Sequence, residues 1–297
     1  MDWRMKSRRF YVRLLVPTLF LLTLITVVPV IYVIATSLTG WDLTRPESLG
    51  FVGLRNYINL FTTDSRFWNS IFVQIRLSLY TVPFEMTIGL MVALYLKQSF
   101  RNSWLIELAR STFLIPMVIP PIVAAVIWKI LFTPTVSILN YLVTSLGLGK
   151  LDWLGNPNLA LVAIAIAQVW EFFPFCFLLF YAALMSLPSE PYEAAEVDGA
   201  SFWQIFRFIT LPMLAPTMNI VFLFRLVDSL KAFPLIYGMT EGGPGFVTEP
   251  PNFYAFVEAF SYSHVGYSSA MIVILFALSM LITFLVMRNI QWTRGEV

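Results

Sequence analysis

Long uncharged apolar stretches recur along this sequence. From Leu14 to Thr36, 23 consecutive positions carry no charge, and Val265 to Met287 is equally clean. A helix rises roughly 1.5 Å per residue, so about 20 such residues bridge the hydrocarbon core of a bilayer. Ser111–Trp128 gives a third run, which Ile130 to Phe132 extend beyond Lys129. Three more, Phe72–Leu96, Leu159–Leu187 and Met213–Ile236, are interrupted by charge. The pattern predicts an all-α integral membrane protein with six transmembrane helices. The first run follows Arg4, Lys6, Arg8, Arg9 and Arg13, as a signal peptide would. It is longer than a signal core of about 7–15 residues and lacks a small-residue cleavage site, so a retained anchor is expected.

The polar segments orient the spans. With the N-terminus in the cytoplasm, the inner segments hold those five basic residues plus Lys97, Arg101, Arg110, Arg207, Arg288 and Arg294. The outer segments hold only Arg45, Arg55, Arg66 and Lys150. This asymmetry is the positive-inside pattern, and it places both termini in the cytoplasm. The outer loops mix turn formers with aromatics: Gly40, Trp41, Pro46, Gly50 and Phe51 in the first, Asp152, Trp153, Gly155 and Asn156 in the second. The third, 240–253, contains Gly242, Gly243, Pro244, Gly245, Pro250 and Pro251 and cannot be continuous helix. Trp41, Trp68, Trp153 and Trp292 are expected as interfacial anchors.

Composition narrows the class. The 297 residues are 58% hydrophobic and only 12% charged, against about 25% charged in soluble domains. That leaves too little polar surface for a globule in water. The net charge of +2 gives no ground for a nucleic-acid partner. One cysteine, Cys176, and one histidine, His264, rule out an internal disulfide, a multi-cysteine metal site and the usual His-pair metal and triad arrangements. No catalytic or metal-binding residue is assigned.

The most informative stretch lies between the fourth and fifth spans, Glu190–Pro212. Pro191 suits a first helical turn, with Glu190 and Glu193 at its positive end. Gly199 suits a helix stop, and Ser201 with Gln204 has the spacing of a capping box opening a second helix. There Phe202, Ile205, Phe206 and Ile209 form one apolar face, and Pro212 marks the start of span five. A short helix, a glycine bend and an amphipathic helix make a rigid protrusion that can fit a partner's groove. Amphipathicity alone equally describes an interfacial helix.

The residue string itself decides between them. Glu193-Ala194-Ala195, Gly199 and Ile209-Thr210-Leu211-Pro212 follow E-A-A-x3-G-x9-I-x-L-P without departure. This resembles the signature loop of binding-protein-dependent ABC importer permeases, and Glu193 to Ala200, E-A-A-x-x-D-G-A, resembles their sugar branch, the maltose/glycerol-phosphate/trehalose type. The likeness extends to Phe51-Val52-Gly53-Leu54 with Asn56-Tyr57, to Leu139-Asn140-Tyr141, to Asp152-Trp153-Leu154-Gly155, and to Gly242-Gly243-Pro244-Gly245 with Thr248-Glu249. One departure is Pro234, where the family often has an acidic residue.

The resemblance implies a type I importer permease fold in a bacterial or archaeal plasma membrane. It also implies a second, distinct permease subunit, two ATPase subunits that bind ATP and Mg, an extracytoplasmic solute-binding protein, and a sugar, polyol or related solute. A tail (1–13), a first helix with its outer loop (14–71), a permease core (72–290) carrying the coupling loop 189–212, and a second tail (291–297) follow from it. Glu193 would offer its carboxylate to a basic group of the ATPase, Ala194 and Ala195 would permit close approach, Gly199 would bend, and Asp198 would cap or pair locally. The chain has no G-x-x-x-x-G-K-[ST] segment; Gly147-Leu148-Gly149-Lys150 has the wrong spacing. Energy must come from another chain.

Charges inside spans are costly and face a bundle interior or a cavity. Arg76, Glu85, Glu171, Arg225 and Asp228 qualify. Arg225, Asp228 and Lys231 step by three and can pair along one helix, as a structural lock or as part of a path. Trp170, Glu171 and Phe172 are expected to line the path for a polyhydroxylated ligand. Pro83, Pro116, Pro120, Pro121, Pro174 and Pro216 kink spans for gating or for packing. A secondary transporter would show internal repeats, and none is visible.

Overall fold

The computed structural model describes residues 3–99, 104–147 and 149–294. The side chains of Arg4, Lys6, Arg8, Arg9, Arg13, Arg101, Arg110, Trp292 and Arg294 lie outside what is described, as does Leu148. Among the described residues the chain is helical, with no β-strand and two isolated bridges in the first outer loop. In order come α1 (Trp3–Ser37), α2 (Arg55–Thr62), α3 (Ser65–Ser99), α4 (Trp104–Val118), α5 (Pro121–Phe132), α6 (Ile138–Ser145) and α7 (Ala160–Ser186). They continue with α8 (Glu190–Val197), α9 (Phe202–Ile205), α10 (Leu211–Ser229), α11 (Phe233–Met239), α12 (Pro251–Phe256) and α13 (Val265–Arg294).

Five stretches pass for membrane spans by length and composition: within α1, α3 and α7, across α9–α10, and within α13. The sixth predicted span is not one rod. The run from Ser111 to Phe132 breaks into α4 and α5, bent by 98°. Pro121 opens α5, and it forces the residue before it, Pro120, into an extended conformation (φ −55°, ψ 132°). Hydropathy reads through this break because prolines there are flanked by apolar residues on both sides. The fifth run also ends early. Predicted to reach Ile236, it stops at Ser229, and the chain restarts as α11 with Pro234 in the first turn.

The chain divides into two compact units, Met1–Asp64 with Tyr254–Ala277, and Ser65–Phe253 with Leu278–Val297. In the first unit the outward-facing apolar residues of α1, among them Phe20, Ile25 and Ile31, are exposed. In hydrocarbon that exposure carries no penalty, because lipid tails are as apolar as the side chains. The loop after α1 is tied to the start of α13: Gly266 donates its amide to the Trp41 carbonyl (2.9 Å), and Leu43 to that of Ser263 (3.0 Å). A Cβ at Gly266 would collide with the Thr39 carbonyl.

In the second unit α3 lies along α7. Gly89 permits the approach: a Cβ there would sit 2.6 Å from Cys176 Cβ and 2.7 Å from the Phe177 nitrogen. Ala93, Leu96, Phe177, Phe180, Leu184, Leu214 and Val221 continue the seam into α10. Small residues at a membrane helix interface bring backbones together, and dispersion rather than water exclusion then holds them. Gly238 of α11 meets Ala125 of α5 in the same way, at 2.5 Å from its notional Cβ.

Candidate functional site

The segment between α7 and α10 is built by local rules. Helix α8 has Pro191 in its first turn and buries no residue. Its end is a Schellman stop: the Ala200 amide donates to the Ala195 carbonyl (2.9 Å) and the Gly199 amide to that of Glu196 (3.1 Å). Gly199 takes φ +75°, with open space around its α-carbon. A side chain there meets no clash, but the left-handed backbone disfavours it. At Ser201 the Gln204 side chain accepts from both the amide (2.7 Å) and the hydroxyl (2.8 Å). The local cap expected of Asp198 does not form; its carboxylate is exposed and accepts no hydrogen bond among the described residues.

The second helix departs from the expectation. It is not a separate amphipathic element ending at Pro212. From Phe202 the helix runs into α10 through a π turn, Phe206–Thr210, where the Leu211 amide reaches back to Phe206. Pro212 sits in the first turn of α10. Proline lacks the N–H for a carbonyl four residues back and crowds it, and the wider π turn relieves both problems. One continuous helical run therefore leads from Phe202 into the fifth span.

Tyr192 anchors α8 to the spans. Its ring lies under Lys97 of α3, with Nζ 4.6 Å from the centroid, and its hydroxyl donates to Thr210 (3.3 Å). What α8 presents outward is acidic and apolar: Glu193, Ala194 and Glu196 are exposed, Ala195 is half-buried, and Val197 is 89% exposed. Trp203 and Phe208 add apolar surface beyond the bend, at 71% and 69%.

The intramembrane charges converge on Arg225. Buried to 1% exposure, it donates to Glu85 of α3 through Nε (2.7 Å to Oε2) and Nη2 (3.2 Å to Oε1). Its guanidinium lies 4.2 Å from the centroid of the Phe172 ring. Asp228 pairs weakly with Arg225 and Lys231, at 3.4 Å each. Earlier on α3, Gln74 donates to the Ser229 carbonyl (3.1 Å) and Ser78 bonds the Ser229 hydroxyl (2.8 Å). Gln74, Ser78, Thr81 and Glu85 recur at helical spacing and form one polar stripe on α3 facing α10. Of the two roles open for Arg225 and Asp228, this geometry favours the lock.

Trp170 and Phe172 are engaged by protein: Trp170 packs edge-on against Trp128 at 5.7 Å, and Arg225 covers one face of Phe172. Glu171 differs. It is 1% exposed, and its Oε2 finds no hydrogen-bond partner among the described residues; the same holds for Oε1 of Gln168 one turn earlier and for Thr81 Oγ1. Sequence reasoning named Glu171 but passed over Gln168 and Thr81, which carry no charge to draw attention. Arg76 takes part in none of these contacts.

The outer motifs are structural. Asn56 donates to the carbonyls of Ser37 and Thr39 (both 2.8 Å), and Tyr57 bonds the Ser37 hydroxyl (2.6 Å). Asn140 holds the second loop, donating to the Leu151 carbonyl (2.8 Å) and accepting from the Trp153 indole (3.1 Å). Trp153 is thus a loop clasp rather than a free interfacial anchor. Thr248 closes the third loop on the Gly243 carbonyl (2.7 Å), and Glu249 takes a bidentate pair from Arg66 (2.8 and 2.7 Å).

Comparison with known proteins places this geometry. Residues 85–292 match the family described as binding-protein-dependent transport system inner membrane component. The trehalose/maltose transport system permease protein MalF of Thermococcus litoralis is 34% identical over 293 residues, 97% of this chain and 98% of that one. The sulfoquinovosyl glycerol transport system permease protein SmoG of Agrobacterium fabrum is 35% identical over 285 residues, 96% and 91% of the two chains. In fold, the chain matches a subunit of a bacterial ABC transporter involved in importing the acidic polysaccharide alginate, with TM-score 0.81 and 20% identity over 97% of this chain and 98% of that one.

Proposed function

This chain belongs to the family of binding-protein-dependent transport system inner membrane components, and from that premise we propose that it imports a sugar or sugar derivative, with α8 as its contact to the ATPase. It is a permease subunit of an ABC importer and has no catalytic chemistry of its own. The saccharide reading draws on the two curated relatives, whose names specify trehalose or maltose and sulfoquinovosyl glycerol. A solute-binding protein delivers the solute, a distinct second permease completes the pathway, and two ATPase subunits hold ATP and Mg. Both termini face the cytoplasm.

The observation that carries the coupling role is the exposure of α8. A helix with no buried residue, stopped by the turn at Gly199 and fixed through Tyr192 to α3 and the π turn, stands outside the core. Seated in a groove of the ATPase, it would move as a lever with the fifth span, because the bend at Gly199 leads into a helix unbroken to Ser229. Glu193 would pair with a basic group there, while Val197 and Ala194 fill the groove. Glu171 and Gln168 would present the unsatisfied polar atoms of the path, whereas Arg225, Glu85 and Asp228 hold the helices.

The test is copurification of the tagged complex after Val197→Asp combined with Glu193→Arg. The expected result is at least tenfold less ATPase subunit per permease pair. Recovery of the ATPase at wild-type stoichiometry would remove α8 from the interface. A thermal-shift panel of mono- and disaccharides on the cognate solute-binding protein then identifies the solute. A binder that is not a carbohydrate derivative overturns the sugar class alone.

A further inference from the structure

A cavity of about 440 Å³ opens within the unit formed by Met1–Asp64 and Tyr254–Ala277. Its wall joins the loop after α1 (Trp41, Asp42, Arg45) to the end of that loop (Asp64) and to the approach to α13 (Glu258, His264), with Tyr254 and Tyr267 behind. None of the motifs that define the family reading depends on these acidic groups.

Several hydrogen-bond donors of the wall are already engaged within it. Asn56 gives its amide to two backbone carbonyls (2.8 Å each). The Tyr254 and Tyr267 hydroxyls both donate to Oδ2 of Asp64, at 2.8 and 2.6 Å. Burial, followed by that bond to Asp64, pushes the Tyr254 hydroxyl above its ordinary range, so it stays protonated and a donor. The Ser48 hydroxyl donates to the Arg45 carbonyl (2.6 Å), and Nδ1 of His264 pairs with Oε2 of Glu258 (2.7 Å).

Acceptors remain. Glu258, a residue of the cavity wall, is 7% exposed, yet only its Oε2 is engaged; Oε1 has no partner among the described residues. Asp42 uses Oδ1 alone, taking the Thr44 amide (2.8 Å) and hydroxyl (2.6 Å). Those bonds, the hydroxyl first, hold its carboxyl below the usual range, so it is ionised at neutral pH. Three carboxylates thus face one arginine, beside the rings of Trp41, Tyr254 and Tyr267.

A sugar hydroxyl carries no charge with which to answer this excess of carboxylates. A guanidinium or ammonium group only donates, carries the complementary charge, and rests well against an aromatic ring. We propose that this cavity receives a lysine or arginine side chain of the extracytoplasmic solute-binding protein, fixing that protein over the first and last spans. The proposal rests on the functional reading above, which places these loops on the outer face. Charge complementarity of this kind governs encounter and register more than final affinity, so its loss should be felt at low binding-protein concentration.

The experiment uses the whole complex in nanodiscs with its cognate solute-binding protein. It reads the binding-protein concentration that gives half-maximal ATPase stimulation. Asp42→Asn and Glu258→Gln should each raise that concentration at least fivefold, with the rate at saturation retained. Arg45→Glu, at an exposed position whose replacement disturbs no packing, should lower it and steepen its dependence on salt. If all three variants stay within twofold of a wild type that is itself stimulated, the cavity does not receive the binding protein. If millimolar spermidine binds with sensitivity to these variants while the half-maximal concentration stays put, the cavity is a small-cation site and the proposal is overturned. Absence of stimulation in the wild type strikes the importer reading instead.

Discussion

Arg225→Met isolates the buried pair between α3 and α10. Arginine and Glu85 are 1% and 0% exposed and share two hydrogen bonds, so the substitution leaves a carboxylate at a membrane helix interface with no counter-charge. Removing one partner of a buried ion pair costs about 3–5 kcal/mol. The guanidinium over Phe172 adds to that loss, since a desolvated cation–π contact contributes up to about 2 kcal/mol. Replacing both members by apolar groups is far milder, often near neutral. Glu85→Met combined with Arg225→Met should therefore recover most of the stability, although Asp228 then keeps only Lys231. The assay is a double-mutant cycle on the purified complex, unfolded by heat or SDS titration and followed by helical signal. The expected coupling energy is at least about 2 kcal/mol, because contacting residues depart from additivity by roughly 0.5–3 kcal/mol and a bidentate pair lies at the upper end. Single losses below about 1 kcal/mol, adding simply in the double variant, would show Glu85 hydrated in a wet path and the lock absent.

Other positions give independent checks. Gly89→Ala drives a methyl into the Cys176 Cβ and the Phe177 backbone nitrogen, which cannot yield as a flexible side chain would. A loss of about 1–3 kcal/mol is expected in thermal melts, and an unchanged melting temperature would mean α3 and α7 are not in such contact. Gly199→Ala meets no steric obstacle but imposes about 1–2 kcal/mol of left-handed backbone strain. ATP-driven uptake should fall while spans and permease pairing persist, and full uptake would show that the bend tolerates another backbone. Glu171→Gln should reduce uptake with assembly intact, whereas uptake at the wild-type rate would remove Glu171 from the path. Arg66→Met strands Glu249, which is 3% exposed, and should destabilise the complex by about 3–5 kcal/mol. A change below about 1 kcal/mol would show the Gly242–Gly245 loop held by other contacts.

The parts readable from the sequence are those whose cause is local. A span is visible because the bilayer asks only for length and apolarity within one segment, and α7 lies within a residue of the run Leu159–Leu187 at each end. The stop at Gly199 and the bonds between Ser201 and Gln204 form within six residues, so spacing suffices to expect them. Even the 98° break was written locally, in Pro120-Pro121, though hydropathy is blind to backbone angles. Tertiary structure decided the partnerships. Glu85 finds Arg225 across 140 positions, Arg66 finds Glu249 across 183, and Asp64 collects Tyr254 across 190. Each charge announced itself as costly in a span or loop, but any opposite group on any neighbouring helix could have answered it. For Glu85, the packing of α3 against α7 and α10, close where Gly89 lacks a side chain, goes with the approach of Arg225 to within hydrogen-bond reach.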